Sequence, residues 1–203
     1  MTREEKIKKL RELKKAMEDD KSLPLKAGAT QLVFGVGSPK TKILFIGEGP
    51  GYWEDQKGEP FVGNAGKLLD TALRSIKLPR REVFITNVVH HRPPNNRDPL
   101  PEEISAYGKY LDKIIEIISP KMIVTLGRFS MAKFLPNVKI TLVHGKTYGV
   151  DWKERKIVVV PMFHPAAALR SVEVMRLFKE DFLKLPEILK EANKVEVKQM
   201  SLV

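Results

Sequence analysis

Apolar positions recur at two different spacings along this chain, and the switches between them mark out its elements. Residues 2–20 are densely charged, with Ile7, Leu10, Leu13 and Met17 at helical spacing, which predicts an amphipathic helix. Residues 21–40 carry Pro24, Gly28, Gly35, Gly37 and Pro39 and read as loop. Four short apolar or β-branched runs follow, at Lys42–Ile46, Glu82–Val89, Lys121–Leu126 and Lys156–Pro161, and each suits a buried strand. Helical patterns lie between and after them, at Asn64–Ile76, Pro99–Ser119, Arg128–Leu135 and Glu173–Asn193. Asp98 is expected to cap the second of these helices, and Pro186 to kink or break the last. Residues 194–203 are expected to fray.

Strands alternating with helices predict an α/β fold, here a three-layer α/β/α sandwich around a mainly parallel, roughly four-stranded sheet. With 203 residues and 42% hydrophobic content, the chain suits a single domain over 1–203, with an N-terminal helix at 2–20 and a core over about 31–193. In open parallel sheets, ligands gather at the carboxyl ends of the strands. Gly47-Glu48-Gly49-Pro50-Gly51 follows the first strand; Asn87 closes the second and leads to His90, His91 and Arg92. Gly127-Arg128 follows the third strand and His164-Pro165 the fourth. Four loops are therefore expected to converge on one edge.

Taken alone, each motif keeps two readings. Residues 47–51 are either a loop that lets backbone approach a ligand closely or a tight strand exit. They are not a dinucleotide fingerprint, because Tyr52 holds the third glycine position. Gly145-Lys146-Thr147 is not the end of a P-loop, because Ile140 stands where its first glycine belongs. Phe61, in a glycine-flanked loop, either stacks on a base or caps the core. Asn87 offers a donor and an acceptor to a base edge, or simply forms a turn. His164, fixed between a strand end and Pro165, either donates to charge developing on a leaving group or is structural. His90 and His91 point to opposite faces of an extended segment, a poor chelating pair, so no metal site is expected. One of the two is expected to face the backbone of bound DNA and the other to pack.

The net charge of +11 adds a polyanionic partner to this picture. The chain has no cysteine, which excludes disulfides, thiolate catalysis and cysteine-ligated clusters. The N-terminus lacks the apolar core of a signal peptide, and runs such as Ile157–Met162 are too short to span a bilayer. A soluble, cytoplasmic protein is expected, and its 30% charged residues with few Gln hint at a thermophile.

In order, the stretches ILFIGEGPG, Glu54-Asp55, GEPFVGNAGKLLD, TNVV, RPPNNRDPLPEEI, IVTLGR and HPAAALR resemble the uracil-DNA glycosylase superfamily. The nearest branch is the family-four, iron–sulfur type, and the likeness spans about Gln31 to Arg170. The resemblance implies a DNA-repair enzyme that flips uracil from single- or double-stranded DNA and hydrolyses its glycosidic bond, acting as a monomer. It implies that Phe61 stacks on uracil, that Asn87 bonds the polar edge of the base, and that His164 stabilises charge on its oxygen. Gly47, Gly49, Pro50 and Gly51 hold the sugar side and the water, and Glu48 either positions that water or excludes a C5 methyl group. Leu169 and Arg170 enter the duplex, and His90 and Arg92 contact its backbone.

Where the branch has four cysteines, this chain has Asp20, Leu23, His91 and Tyr107, a set that cannot hold the cluster. No cofactor is expected, and Leu23 and Tyr107 are expected to pin the N-terminal segment by packing instead. Gly49, Asn64 and His90 stand where Ala, Arg and Lys are commoner, which bears on the choice of lesion. The lost cysteines motivate an alternative, a relative that binds uracil or another deaminated base in DNA without releasing it. An unrelated nucleotide-binding α/β protein is a third reading, opposed by the absence of both phosphate-loop spacings.

Overall fold

Side chains alternate across each strand, and the two sets they form are the two hydrophobic cores of the protein. The computed structural model describes residues 1–153 and 155–200, with side chains through 193. The first half contains α1 (Arg3–Asp19), β1 (Val36–Gly37), β2 (Ile43–Gly47), α2 (Tyr52–Lys57), α3 (Asn64–Ser75) and β3 (Phe84–Asn87). Then come α4 (Pro101–Ile118), β4 (Met122–Leu126), α5 (Arg128–Ala132), α6 (Ile140–Val143), β5 (Tyr148–Trp152) and β6 (Arg155–Met162). The chain continues into α7 (Pro165–Ala168) and α8 (Val172–Met200). Residues 201–203, the end of the segment expected to fray, lie outside the described residues.

The strand order is β1-β3-β2-β4-β6-β5. The four expected strands β2, β3, β4 and β6 pair in parallel, and β1 and β5 add antiparallel edges, so the sheet has six strands rather than four. β1 has two residues, too few to show an alternation, and β5 mixes half-buried with exposed positions and so carries no continuous apolar run. Ile43 and Phe45, Met122 and Val124, and Val160 and Met162 point to one face, where Leu69, Phe178 and Phe182 of α3 and α8 cover them. Leu44, Ile46, Ile123, Ile157 and Val159 point to the other, against Leu13 and Met17 of α1 and Leu111 and Ile114 of α4. Each such side chain contributes about 1.5–3 kcal/mol on leaving water, which makes the layers cohere. The result is the three-layer α/β/α sandwich.

Two local expectations change. Asp98 does not cap α4; the helix starts at Pro101, and the Glu103 carboxylate turns back to accept the Leu100 N–H at 2.8 Å. Arg97 grips that carboxylate through both guanidinium nitrogens, and Asp98 pairs with Arg128 instead. α8 runs unbroken through Pro186, anchored in the core by Phe178, Phe182 and Leu185 before it and by the half-buried Ile188 and Leu189 after it.

The segment after α1 is held to α4 by packing and by hydrogen bonds. Leu23 and Leu25 are buried in the same core as Tyr107. Asp20 accepts from Tyr110 Oη at 2.7 Å and from Lys109 Nζ at 2.9 Å, and these bonds together with Ser22 hold its carboxyl well below the usual carboxylate range. The Tyr107 hydroxyl meets His91 Nδ1 at 2.8 Å, both side chains being buried. Tyr107→Phe keeps the ring but strands that imidazole nitrogen, so we expect it to cost about 1–3 kcal/mol in urea unfolding. An unchanged unfolding midpoint would show that the His91–Tyr107 bond contributes nothing.

Candidate active site

The parallel strands end level with one another. Gly47 pairs with Asn87, and Leu126 with Met162, so all four expected loops leave from the same edge. Strand order reverses direction around β2 and β4, where such sheets open a crevice. A cavity of about 200 Å³ lies there, walled by Glu48, Gly49, Pro50, Gly51, Phe61 and His164, with Pro93, Asn96 and Pro99 opposite. A second cavity of about 390 Å³ adjoins it, sharing Glu48, Gly49, Asn96 and His164 and reaching Arg128 and Arg170.

Phe61 is buried and its ring faces that of His164, with centroids 5.6 Å apart. Its φ of 54° is a left-handed conformation that a bulky residue adopts only when its surroundings impose it. Those surroundings are visible. Arg80 Nη1 donates to the Phe61 carbonyl at 3.2 Å, its other terminal nitrogen reaches the Pro60 carbonyl, and Asp70 holds the guanidinium at 3.0 Å. Glu54 Oε1 accepts from the N–H groups of Val62 and Gly63, both at 2.8 Å, closing the other side of the loop.

Gly47 matters through its missing side chain. A Cβ there would lie 2.6 Å from the Phe61 ring, and the Asn87 amide would be closer still. Asn87 Oδ1 and the edge of the Phe61 ring therefore both close on Gly47, next to the residues that wall the cavity. Asn87 is 1% exposed, and its Oδ1 has no hydrogen-bond partner among the described residues. A buried acceptor left unpaired is costly in a folded protein and calls for a ligand or another explanation.

His164 caps α7. Its Nδ1 accepts the Ala166 N–H at 3.1 Å, so in the neutral ring the proton sits on Nε2. Burial, reinforced by the positive charge of Arg170, lowers its pKa to about 4, so the ring is neutral at pH 7. Gly127, at φ 96°, lies against it: a Cβ there would be 3.1 Å from His164 Cβ. The preceding Phe163 packs on His144, which Asp181 holds at 2.7 Å. Glu48 is half-buried; desolvation and the nearby Asp98 raise its pKa, while Arg128 and Arg170 oppose the rise.

The remaining expected contacts divide. Leu169 and Arg170 are exposed at the end of α7, and Arg92 is half-buried beside Pro93 on the cavity wall. His90 is not at the surface. It is fully buried, with Nε2 3.1 Å from Thr86 Oγ1 and its ring against Phe34 and Tyr107, so it cannot meet a duplex. Its carbonyl accepts the Val33 N–H, which draws the segment inward, and both histidines pack. Sequence reasoning missed Arg80, His144 and Asp181, none of which stands in a local motif. The cavity-lining residues of RPPNNRDP were recognised as a pattern but given no role.

Three imidazoles are thus held neutral by burial, with pKa values lowered to about 3 at His90 and about 4 at His91 and His164. An unfolded chain, with histidine pKa near ~6.5, binds more protons than the folded one below that pH, so stability rises with pH from about 4 to 6.5. The melting temperature is expected to climb across this window and level off above it. A flat profile between about pH 4.5 and 6.5, above the usual range of carboxylate titration, would mean these rings titrate normally.

A family model, the uracil DNA glycosylase superfamily, matches residues 34–189. The chain is 50% identical over 165 residues to a type-4 uracil-DNA glycosylase of Sulfurisphaera tokodaii, covering 78% of this chain and 75% of that one. It is 48% identical to one from Archaeoglobus fulgidus, covering 78% and 82%, and 44% identical to one from Thermotoga maritima, covering 82% and 88%. On the strength of the fold, the level strand ends and these matches, the chain belongs to the uracil DNA glycosylase superfamily.

Proposed function

We propose that this protein is a uracil-DNA glycosylase, which draws uracil out of DNA, hydrolyses its bond to deoxyribose and leaves an abasic site. The observation that carries the reading is His164: a neutral ring with Nδ1 occupied by a backbone N–H, beside Phe61 on the cavity wall. The relatives named above support it. On this reading it acts as a monomer in the cytoplasm, on single- or double-stranded DNA. Among the described residues no helix is long and apolar enough to cross a membrane.

A base must leave the stack before a protein can reach its glycosidic bond, at a cost of a few kcal/mol. Stacking on Phe61 offsets that cost. The orphaned Asn87 Oδ1 accepts from the imide N–H of uracil, a donor that cytosine lacks at the same place. As the bond breaks, its electron pair moves to the base and positive charge builds on the sugar. His164 Nε2–H donates to the uracil oxygen where negative charge gathers. Water adds to the sugar carbon, and Glu48, made more basic by its burial, takes up the proton. The backbone of Gly49, Pro50 and Gly51 lies against the sugar. Leu169 and Arg170 enter the space left in the stack, and Arg92 meets the phosphates.

The iron–sulfur cluster of the resembling branch does not fit this chain. Leu23 has no ligating atom, His91 and Tyr107 are bonded to each other, and Asp20 is bonded to Ser22, Tyr110 and Lys109. The hydrolysis involves no change of oxidation state, and hydrogen bonds and packing hold the N-terminal segment to α4.

The test is alkaline cleavage of a labelled oligonucleotide carrying one uracil, opposite guanine and single-stranded. Strand breaks at the uracil position are expected. A mobility shift with no abasic product would return the binding-only reading.

A further inference from the structure

Aromatic side chains in this protein are buried or half-buried, except Tyr52 and Trp53. These are 49% and 58% exposed and stand edge to face, with ring centroids 5.1 Å apart. They follow Gly51, which lines the cavity, and the Trp53 ring edge lies beside Gly63, two residues from Phe61. The Arg92 guanidinium sits over the Tyr52 ring at 5.3 Å, and its Nε donates to Asn96 Oδ1 at 2.7 Å. A paired aromatic surface and a fixed cation thus adjoin the cavity mouth, next to the loop that carries Phe61. Neither aromatic ring lines the cavity itself.

We propose that Trp53, propped by Tyr52, is a stacking platform for the unpaired base next to the extruded nucleotide, with Arg92 meeting the phosphate between them. The identity of the strand as DNA rests on the glycosylase reading above. Three observations favour a nucleobase as the occupant. The platform is continuous with the base-holding loop. A cation is fixed against it in a chain of net charge +11. An indole face also takes any base without regard to sequence. In a duplex the neighbouring base stays stacked on its own strand, so the platform serves single-stranded DNA.

The chain has two tryptophans, and Trp152 is half-buried against Phe134 and Lys133, so Trp53 is the solvent-exposed fluorophore. Titration with uracil-free oligothymidylate is expected to quench its fluorescence. By anisotropy of the labelled oligonucleotide, Trp53→Ala should raise Kd about tenfold, while Trp53→Phe, which keeps a stacking face, stays within about twofold. Binding of the matching uracil-free duplex should be unchanged in both variants. Equal weakening on duplex and single strand, or no weakening in Trp53→Ala, would overturn the proposal. Because the probe has no uracil, such a failure leaves the glycosylase reading standing, and that reading falls only if the wild type releases no uracil.

Discussion

Replacing His164 with alanine is expected to slow single-turnover release of uracil at least about a hundredfold, the scale of losing one donor aimed at a developing charge. The loss should fall on the chemical step and leave binding of a uracil-free oligonucleotide nearly intact. The reason is geometric. His164 cannot act as a base through Nδ1, which is occupied by the Ala166 N–H, so its contribution is the Nε2–H. That donor is neutral and therefore suited to an oxygen that is neutral in the substrate and negative in the transition state. His164→Gln restores an N–H at a similar reach and should recover part of the rate. If alanine and wild type release uracil equally fast, the imidazole is structural and the mechanism above is wrong.

Asn87→Ala carries the second large effect. Its Oδ1 is buried with no partner, which is tolerable only if binding supplies one. Without the amide, the base edge enters the site with its own N–H unpaired, and sites that read a polar group lose discrimination steeply when the pair is broken. We expect uracil release to fall about a hundredfold or more, with the unfolding midpoint little changed or raised, because the mutation also removes an unsatisfied buried acceptor. Asn87→Asp provides the contrast. A carboxylate accepts from uracil but has no donor to offer the neighbouring carbonyl, so it should not restore the wild-type rate. Full activity in Asn87→Ala would move base recognition elsewhere.

The parallel core was legible because it obeys simple periodicities. β2 and β4 are buried along their whole length and β6 is apolar from Ile157 to Met162, and the carboxyl ends of these runs point to where ligands gather. That rule puts Gly47, Glu48 and His164 at the edge, while their roles, and the place of Phe61 among them, rest on the resemblance to the family. The edges were not legible, since a two-residue β1 has no period and β5 no apolar run. His90 was misjudged because alternation assumes the strand continues, whereas β3 stops at Asn87 and the chain turns inward. Arg80 escaped notice for a different reason: its partners are carbonyls at Pro60 and Phe61, distant in sequence and uninformative as residue types. Asp98 has the residue type of a cap, but α4 starts at Pro101 and the Asp98 carboxylate pairs with Arg128 instead.

The left-handed backbone at Phe61 bears on how this site works when hot. A ring that had to be ordered by its ligand would bind less well as temperature rises, because the entropy surrendered at capture weighs more. Here the Arg80–Asp70 pair fixes the ring's backbone when the chain folds, before any DNA arrives. The backbone that carries the ring then need not be ordered at capture, so that part of the entropy cost is met when the chain folds. A preset anvil of this kind is an adaptation of the empty site, invisible in any inventory of its contacts with substrate.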